Sequence, residues 1–172
     1  MRVFLTAVLL VSSLLAAQQA APPVPPSPPP VAPKEAPFTV RLAAPLGDLP
    51  VGSEQIIAIT FTNTSLNPVF FPRIAGKLAL DLFMKMDVHD QEGKPVPETP
   101  ERIKARHLPL RPYHSRPELK AGDSEIAEVT LNQDYDLTKP GKYTVQVSAT
   151  DPASHAVATS NTLTVNVLPP KE

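Results

Sequence analysis

The sequence predicts an all-β fold, a single antiparallel β-sandwich over residues 38–168, and three observations predict it. Apolar residues recur at every second position rather than every 3.6. Glycines fall between the apolar runs. The stretch Asp136 to Val147 reads as a turn followed by a strand whose Tyr143, Val145 and Val147 face one way. A tyrosine near the start of such a strand pins the preceding corner through its hydroxyl.

At the amino terminus, Arg2 supplies a positive start, Val3 to Ala17 an apolar run, and Ala16 to Ala21 small and polar residues. This is the layout of a secretory signal peptide over residues 1–21. The apolar run is shorter than the roughly 20 residues that span a bilayer, so cleavage is expected, with membrane attachment only if the segment stays uncleaved. No Ala-x-Ala site closes the run, and no cysteine follows it to accept a lipid. The expected location is outside the cytosol: periplasmic, secreted or cell-surface. Residues 22–37 alternate runs of proline with Val, Ala and Ser, which removes backbone donors and locks φ near the polyproline II value. They are expected to form a proline-rich disordered linker. Extended at about 3.1 Å per residue, such a spacer reaches on the order of 50 Å. Pro25-Pro26-Ser27-Pro28 also matches a P-x-x-P docking pattern, as any tract this rich in proline does.

From Phe38 the strands follow in order. Phe38, Val40 and Leu42 alternate with Thr39 and Arg41, and Ile57, Ile59 and Phe61 with Ala58, Thr60 and Thr62. Leu80, Leu82, Met84, Met86 and Val88 read as a third strand, Ala127, Val129 and Leu131 as a fourth, and Leu163, Val165 and Val167 close the domain. No segment reads as an amphipathic helix. All six glycines (47, 52, 76, 93, 122 and 141) fall between these runs, where tight turns are wanted, and none is left for a phosphate cradle. Seven or so strands with turns between them fit two antiparallel sheets packed face to face with Greek-key connections.

Three motifs carry a resemblance. They are Pro50-Val51-Gly52-Ser53-Glu54 ahead of a strand ending Phe61-Thr62-Asn63-Thr64-Ser65, the corner from Pro140 to Val147, and Ser160-Asn161-Thr162-Leu163-Thr164-Val165. On these, residues 38–168 resemble the immunoglobulin-like and fibronectin III-like domains of exported bacterial proteins. The resemblance implies a fold and no particular activity. Antibody-type domains pin their sheets with a disulfide and a tryptophan; this chain has no cysteine and no tryptophan, so a core of aliphatic residues and phenylalanine is expected instead.

Composition narrows the chemistry. The formal net charge is −1, and losing residues 1–21 removes Arg2 and no acid, leaving about −2, which gives nucleic-acid binding no support. There is no G-x-S-x-G and no thiol, and the adjacent His114 and Ser115 have no third partner in sequence, so no catalytic residues and no cofactor are assigned. His89, His107, His114 and His155 lack the spacing of a zinc-binding helix. Asp87, Asp90 and Glu92 before Gly93 depart from the D-x-D-x-D-G calcium spacing and read as a hairpin turn; Asp134 and Asp136 read as a solvated corner. Asn63-Thr64-Ser65 satisfies a glycosylation sequon but reads as a strand end.

One segment exceeds what a sandwich needs. Between Pro95 and Ala121, prolines at 95, 97, 100, 109, 112 and 117 prevent regular strand pairing, and long connections of this kind are often functional. Arg102, Lys104, Arg106, Arg111, Arg116 and Lys120 outnumber Glu101 and Glu118 there, beside His107 and His114, with Leu108, Leu110 and Tyr113 as apolar anchors. Guanidiniums suit carboxylates and phosphates, and a tyrosine is a rigid contact. The candidate partner-binding residues are thus Arg102, Lys104, Arg106, His107, Arg111, Tyr113, His114 and Arg116. The alternative is that the leucines and Tyr113 cap the open end of the sandwich and the charges solvate it.

The expected function is a non-catalytic exported binding or accessory module on a proline-rich spacer, with an unknown protein or an anionic envelope component as partner. Two other readings are a protease inhibitor presenting the 95–121 loop and a structural partner of a separate envelope enzyme. Sugar binding is disfavoured, since Tyr113, Tyr135 and Tyr143 are a thin aromatic supply. No oligomeric state is assigned, although the strand around Val40 has an edge able to pair with a neighbour.

Overall fold

Two-residue alternation becomes apolar sheet faces that meet in one core. The computed structural model describes residues 35–44, 47–74, 77–106 and 118–170, all within one compact unit, Pro33–Glu172. The signal segment and linker residues 22–34 lie outside the described residues. The strands are β1 (Phe38–Ala43), β2 (Leu49–Pro50), β3 (Ile56–Asn63), β4 (Val69–Phe70), β5 (Arg73–Ile74), β6 (Lys77–Leu78), β7 (Met84–His89), β8 (Glu118–Leu119), β9 (Ser124–Thr130), β10 (Gly141–Thr150), β11 (Val157–Thr159) and β12 (Leu163–Leu168). Two short helices, α1 (Pro100–Arg106) and α2 (Leu131–Asp134), and a 3-10 turn, Leu80–Leu82, join them.

One sheet has the order β1-β3-β9, antiparallel throughout. In the other, β10 pairs with β7 along one side and with β11 and β12 along the other, and β12 pairs with β2. The β2–β12 pairing is parallel, a departure from the all-antiparallel expectation. Two small ribbons, β4–β8 and β5–β6, stand beside these sheets. The layout is all-β and compatible with a β-sandwich.

Both sheets feed one cluster of buried side chains, with Ile57, Ile59, Phe61, Val145, Val147 and Ala149 wholly withdrawn from solvent. Four phenylalanines tile one region of it. Phe38 and Phe61 come from β1 and β3, while Phe71 and Phe83 come from the crossover between the sheets; neighbouring ring centroids lie 5.0–6.3 Å apart in tilted or edge-on pairs. That is the packing aromatic quadrupoles favour.

The Tyr143 corner forms as expected: its hydroxyl donates to the Lys139 carbonyl at 2.8 Å. Asn161, in the break between β11 and β12, reaches across to β1, where its Oδ1 accepts from Leu42 N (2.9 Å) and its Nδ2 donates to Leu42 O (3.2 Å). The side chain thereby occupies the outer edge of β1 at Leu42. Asn63 is buried, and its Nδ2 donates to Asn67 O and Leu119 O at 2.8 Å each. The amide of the sequon asparagine is thus committed, closing the β3–β4 loop through Asn67 and tying it to β8 through Leu119. The same loop holds the end of the linker, since Thr64 N and Ser65 N donate to Pro37 O.

The third predicted strand is shorter than its alternation suggested. Leu80 to Leu82 form the 3-10 turn with Leu82 largely exposed, and the strand starts only at Met84. Likewise β9 stops at Thr130, and Leu131 opens α2 while staying buried. Asp90 shapes a turn, as read: its Oδ1 accepts from Glu92 N and Lys94 N, and Gly93 at φ +76° lets the chain reverse.

Phe61→Ala removes the ring that touches Phe38, Phe71 and Phe83 and is expected to cost about 3–5 kcal/mol in denaturant unfolding. Tyr143→Phe loses a single hydrogen bond and is expected to cost about 1 kcal/mol.

Candidate functional site

The proline-rich connection between β7 and β9 contains a helix that strand-based reading passed over. Thr99 caps it: its Oγ1 accepts from Arg102 N (3.2 Å), its carbonyl accepts from Ile103 N (3.1 Å), and its own N–H donates to Asp134 O (2.9 Å). Pro100 then sits at the first helical position, where its missing N–H costs nothing and its fixed φ fits, and Glu101 follows in the first turn. The seven-residue α1 buries none of its residues; only Arg102 is partly covered. So short a helix is marginal by itself, and it is held to the domain by its cap and by charge.

Three carboxylates and two guanidiniums supply that charge. Arg102 donates through both terminal nitrogens to Asp81, with Nη1 3.1 Å from Oδ2, and its Nη1 lies 3.8 Å from Asp134 Oδ2. Arg106 pairs with Glu98. Arg102 is pushed above its ordinary value because its acidic neighbours outweigh the desolvation that opposes them. Asp134 moves up as well: burial is the main cause, opposed by the attraction of Arg102, with repulsion from Asp81 and Glu98 adding to the rise. Tyr135, next in the chain, donates its hydroxyl to Met86 O at 2.9 Å, and burial pushes it up to about 12.

Beneath Arg102 lies a cleft of about 270 Å³. Ile74, Leu78 and Leu80 from the crossover, Met84 and Met86 from β7, and Val129 from β9 wall it, with Asp81, Arg102, Asp134 and Tyr135 at its polar side. β7 reaches this region with its outer edge already engaged, because Val96 N donates to Val88 O and Tyr135 to Met86 O.

Of the residues singled out from the sequence, Arg102, Lys104 and Arg106 lie together on α1; His107, Arg111, Tyr113, His114 and Arg116 lie outside the described residues. Arg102 and Arg106 are engaged in ion pairs within the domain, while Lys104 is exposed and has no ion pair among the described residues. Asp81 and Glu98 escaped sequence reading, and Asp134, read as part of a solvated corner, is instead partly buried beside Arg102. The helix start alone left a trace there, in Thr99-Pro100-Glu101. Asp136, read with Asp134 as one corner, is separate from it: Thr138 donates to its Oδ1 through both N–H and hydroxyl, holding that carboxyl below its usual range. No protein-family model matches the chain, and no curated protein is significantly similar to it.

The Asp134 direction sets a pH signature. Because its folded-state pKa lies above the unfolded 3.8, ionised Asp134 costs stability at neutral pH, and that cost is relieved as pH falls through the folded value. Asp136 titrates below this window, its stabilisation being lost only under more acidic conditions. Asp134→Asn is therefore expected to show its most favourable Tm relative to wild type at pH 7, with the difference shrinking toward pH 4 in thermal melts.

Proposed function

We propose that the chain is an exported, non-catalytic binding or accessory module of immunoglobulin-like or fibronectin III-like architecture. It is displayed on its proline-rich segment and engages a protein or an anionic envelope component through the connection between β7 and β9. Strand order supports the architectural part. With β1, β3 and β9 in one sheet and β7, β10 and β12 in the other, the strands partition as A, B, E and C, F, G do in an immunoglobulin domain, with a tyrosine corner at the start of the F-equivalent strand. The leader-like residues 1–21 support export.

One observation carries the functional part: α1 buries none of its residues. A helix that adds nothing to the core, inserted where a sandwich needs only a short connection, presents side chains outward, and Ile103 and Lys104 are exposed on it. The ion pairs redefine which cations are available to a partner. Arg102 and Arg106 hold the helix in place, so recognition falls to Lys104 and to the flanking Arg111 and Arg116.

The test uses Lys104→Ser, Arg111→Ser and Arg116→Ser together, sparing the structural arginines. Three charges at about 0.5 kcal/mol each amount to roughly tenfold in affinity. The triple variant is expected to keep the wild-type Tm and circular dichroism while recovering about tenfold less of any partner that co-purifies with the tagged wild-type chain from native envelope. Undiminished recovery refutes this reading.

A further inference from the structure

We propose that the cleft beneath Arg102 is a small-molecule site for an organic cation with a compact apolar body, Asp134 taking the ammonium and the Met84–Met86 wall the apolar part. This goes beyond the partner surface above, which uses the outward residues of α1 and would stand if the cleft bound nothing.

The walls set the body of the ligand. Leu78, Leu80, Met84, Met86 and Val129 are only partly buried and pack on the core from the outside, so their remaining apolar surface faces the cleft rather than other side chains. An apolar cavity of about 150 Å³ accepts benzene, so a cleft of about 270 Å³ has room for a short alkyl chain or one substituted ring. Methionine is the residue best able to adapt to such a guest, being unbranched and polarizable, and β7 offers two at alternate positions on one face.

The polar side sets the head group. Among the described residues the cluster holds Asp81, Glu98 and Asp134 against Arg102 and Arg106, a surplus of one negative charge. Asp81 accepts from both arms of the Arg102 fork, and Glu98 has Arg106. The Asp134 carboxylate is left 3.8 Å from Arg102, beyond hydrogen-bond distance, and accepts no hydrogen bond from the described residues. A half-buried carboxylate without donors, bordering an apolar cleft, is completed by a cation that brings its own N–H groups. Among the described residues, an anion would meet Asp81 and Asp134, with both terminal nitrogens of Arg102 already facing carboxylates and only its buried Nε unpaired.

The chain offers clean reporters, because its three methionines are Met1, Met84 and Met86, so two methyl signals come from the cleft. With ε-methyl-labelled full-length protein, hexylammonium is expected to shift both saturably, to bind about tenfold or more tightly than 1-hexanol, and to leave hexanoate without effect. Asp134→Asn, checked for native methyl dispersion, is expected to lose the preference for hexylammonium over 1-hexanol. No saturable shift with hexylammonium in wild type, equal binding of hexanol or hexanoate, or a preference that survives in Asp134→Asn each overturns the proposal. None of these outcomes bears on partner recovery by the triple variant, so the two readings fail separately.

Discussion

Without a cysteine or a tryptophan, the two sheets are held together chiefly by packing, and the four-phenylalanine cluster is a central part of it. Phe38 and Phe61 belong to adjacent strands of one sheet, whereas Phe71 and Phe83 bracket the crossover that leads to the other. Fixing both ends of the crossover fixes what lies between them, namely β5, β6 and the 3-10 turn that carries Asp81. Arg73 of β5 strengthens the placement by donating to Glu125 of β9 at 2.6 Å. The cleft wall and the acid that captures Arg102 are thus set by rings on the far side of the same segment.

The buried side chains of Asn63 and Ser160, and that of Asn161, find partners. Asn63 ties its own loop to β8, Asn161 pairs with the β1 edge at Leu42, and Ser160 donates to Asn161 O while accepting from Val147 N. Gln55 receives the Asn132 carboxamide oxygen at its N–H, and its carbonyl accepts from Leu131 N, which fixes where β9 turns into α2. Each such bond is worth only about 1 kcal/mol net, but leaving its partner dry and unpaired costs more, so these residues specify geometry more than they add stability.

Period-two alternation made β1, β3, β10 and β12 legible, because each has one face in the core and one outside, and burial along them follows the sequence pattern residue by residue. The same rule misled at Leu80 and Leu82: alternation over a few residues does not distinguish a strand from a tight turn whose apolar side chains land on different neighbours. Of the prolines expected to bar strand pairing, Pro95 lies in an isolated bridge with His89, Pro109, Pro112 and Pro117 lie outside the described residues, and Pro100 after Thr99 is a helix start, a signal masked by the expectation of an all-β chain. What no local pattern encodes is the pairing of Arg102 with Asp81 and Asp134. Those acids come from two separate connections, and only the folded crossover and α2 bring them to one helix.

That pairing changes what a run of basic residues means. Read along the chain, Arg102, Lys104 and Arg106 form one cationic patch for a partner. In three dimensions two of the three are the attachment of the patch itself, and the acids attaching it exceed them by one charge. Attachment by charge has different properties from attachment by burial: it is weakened by salt and by loss of a carboxylate's charge, while the phenylalanine-filled interior is insensitive to either. The domain therefore separates its duties physically. An apolar body carries the stability, and an electrostatically moored segment, bordering an apolar cleft beside the Asp134 carboxylate, responds to the salt and pH around it.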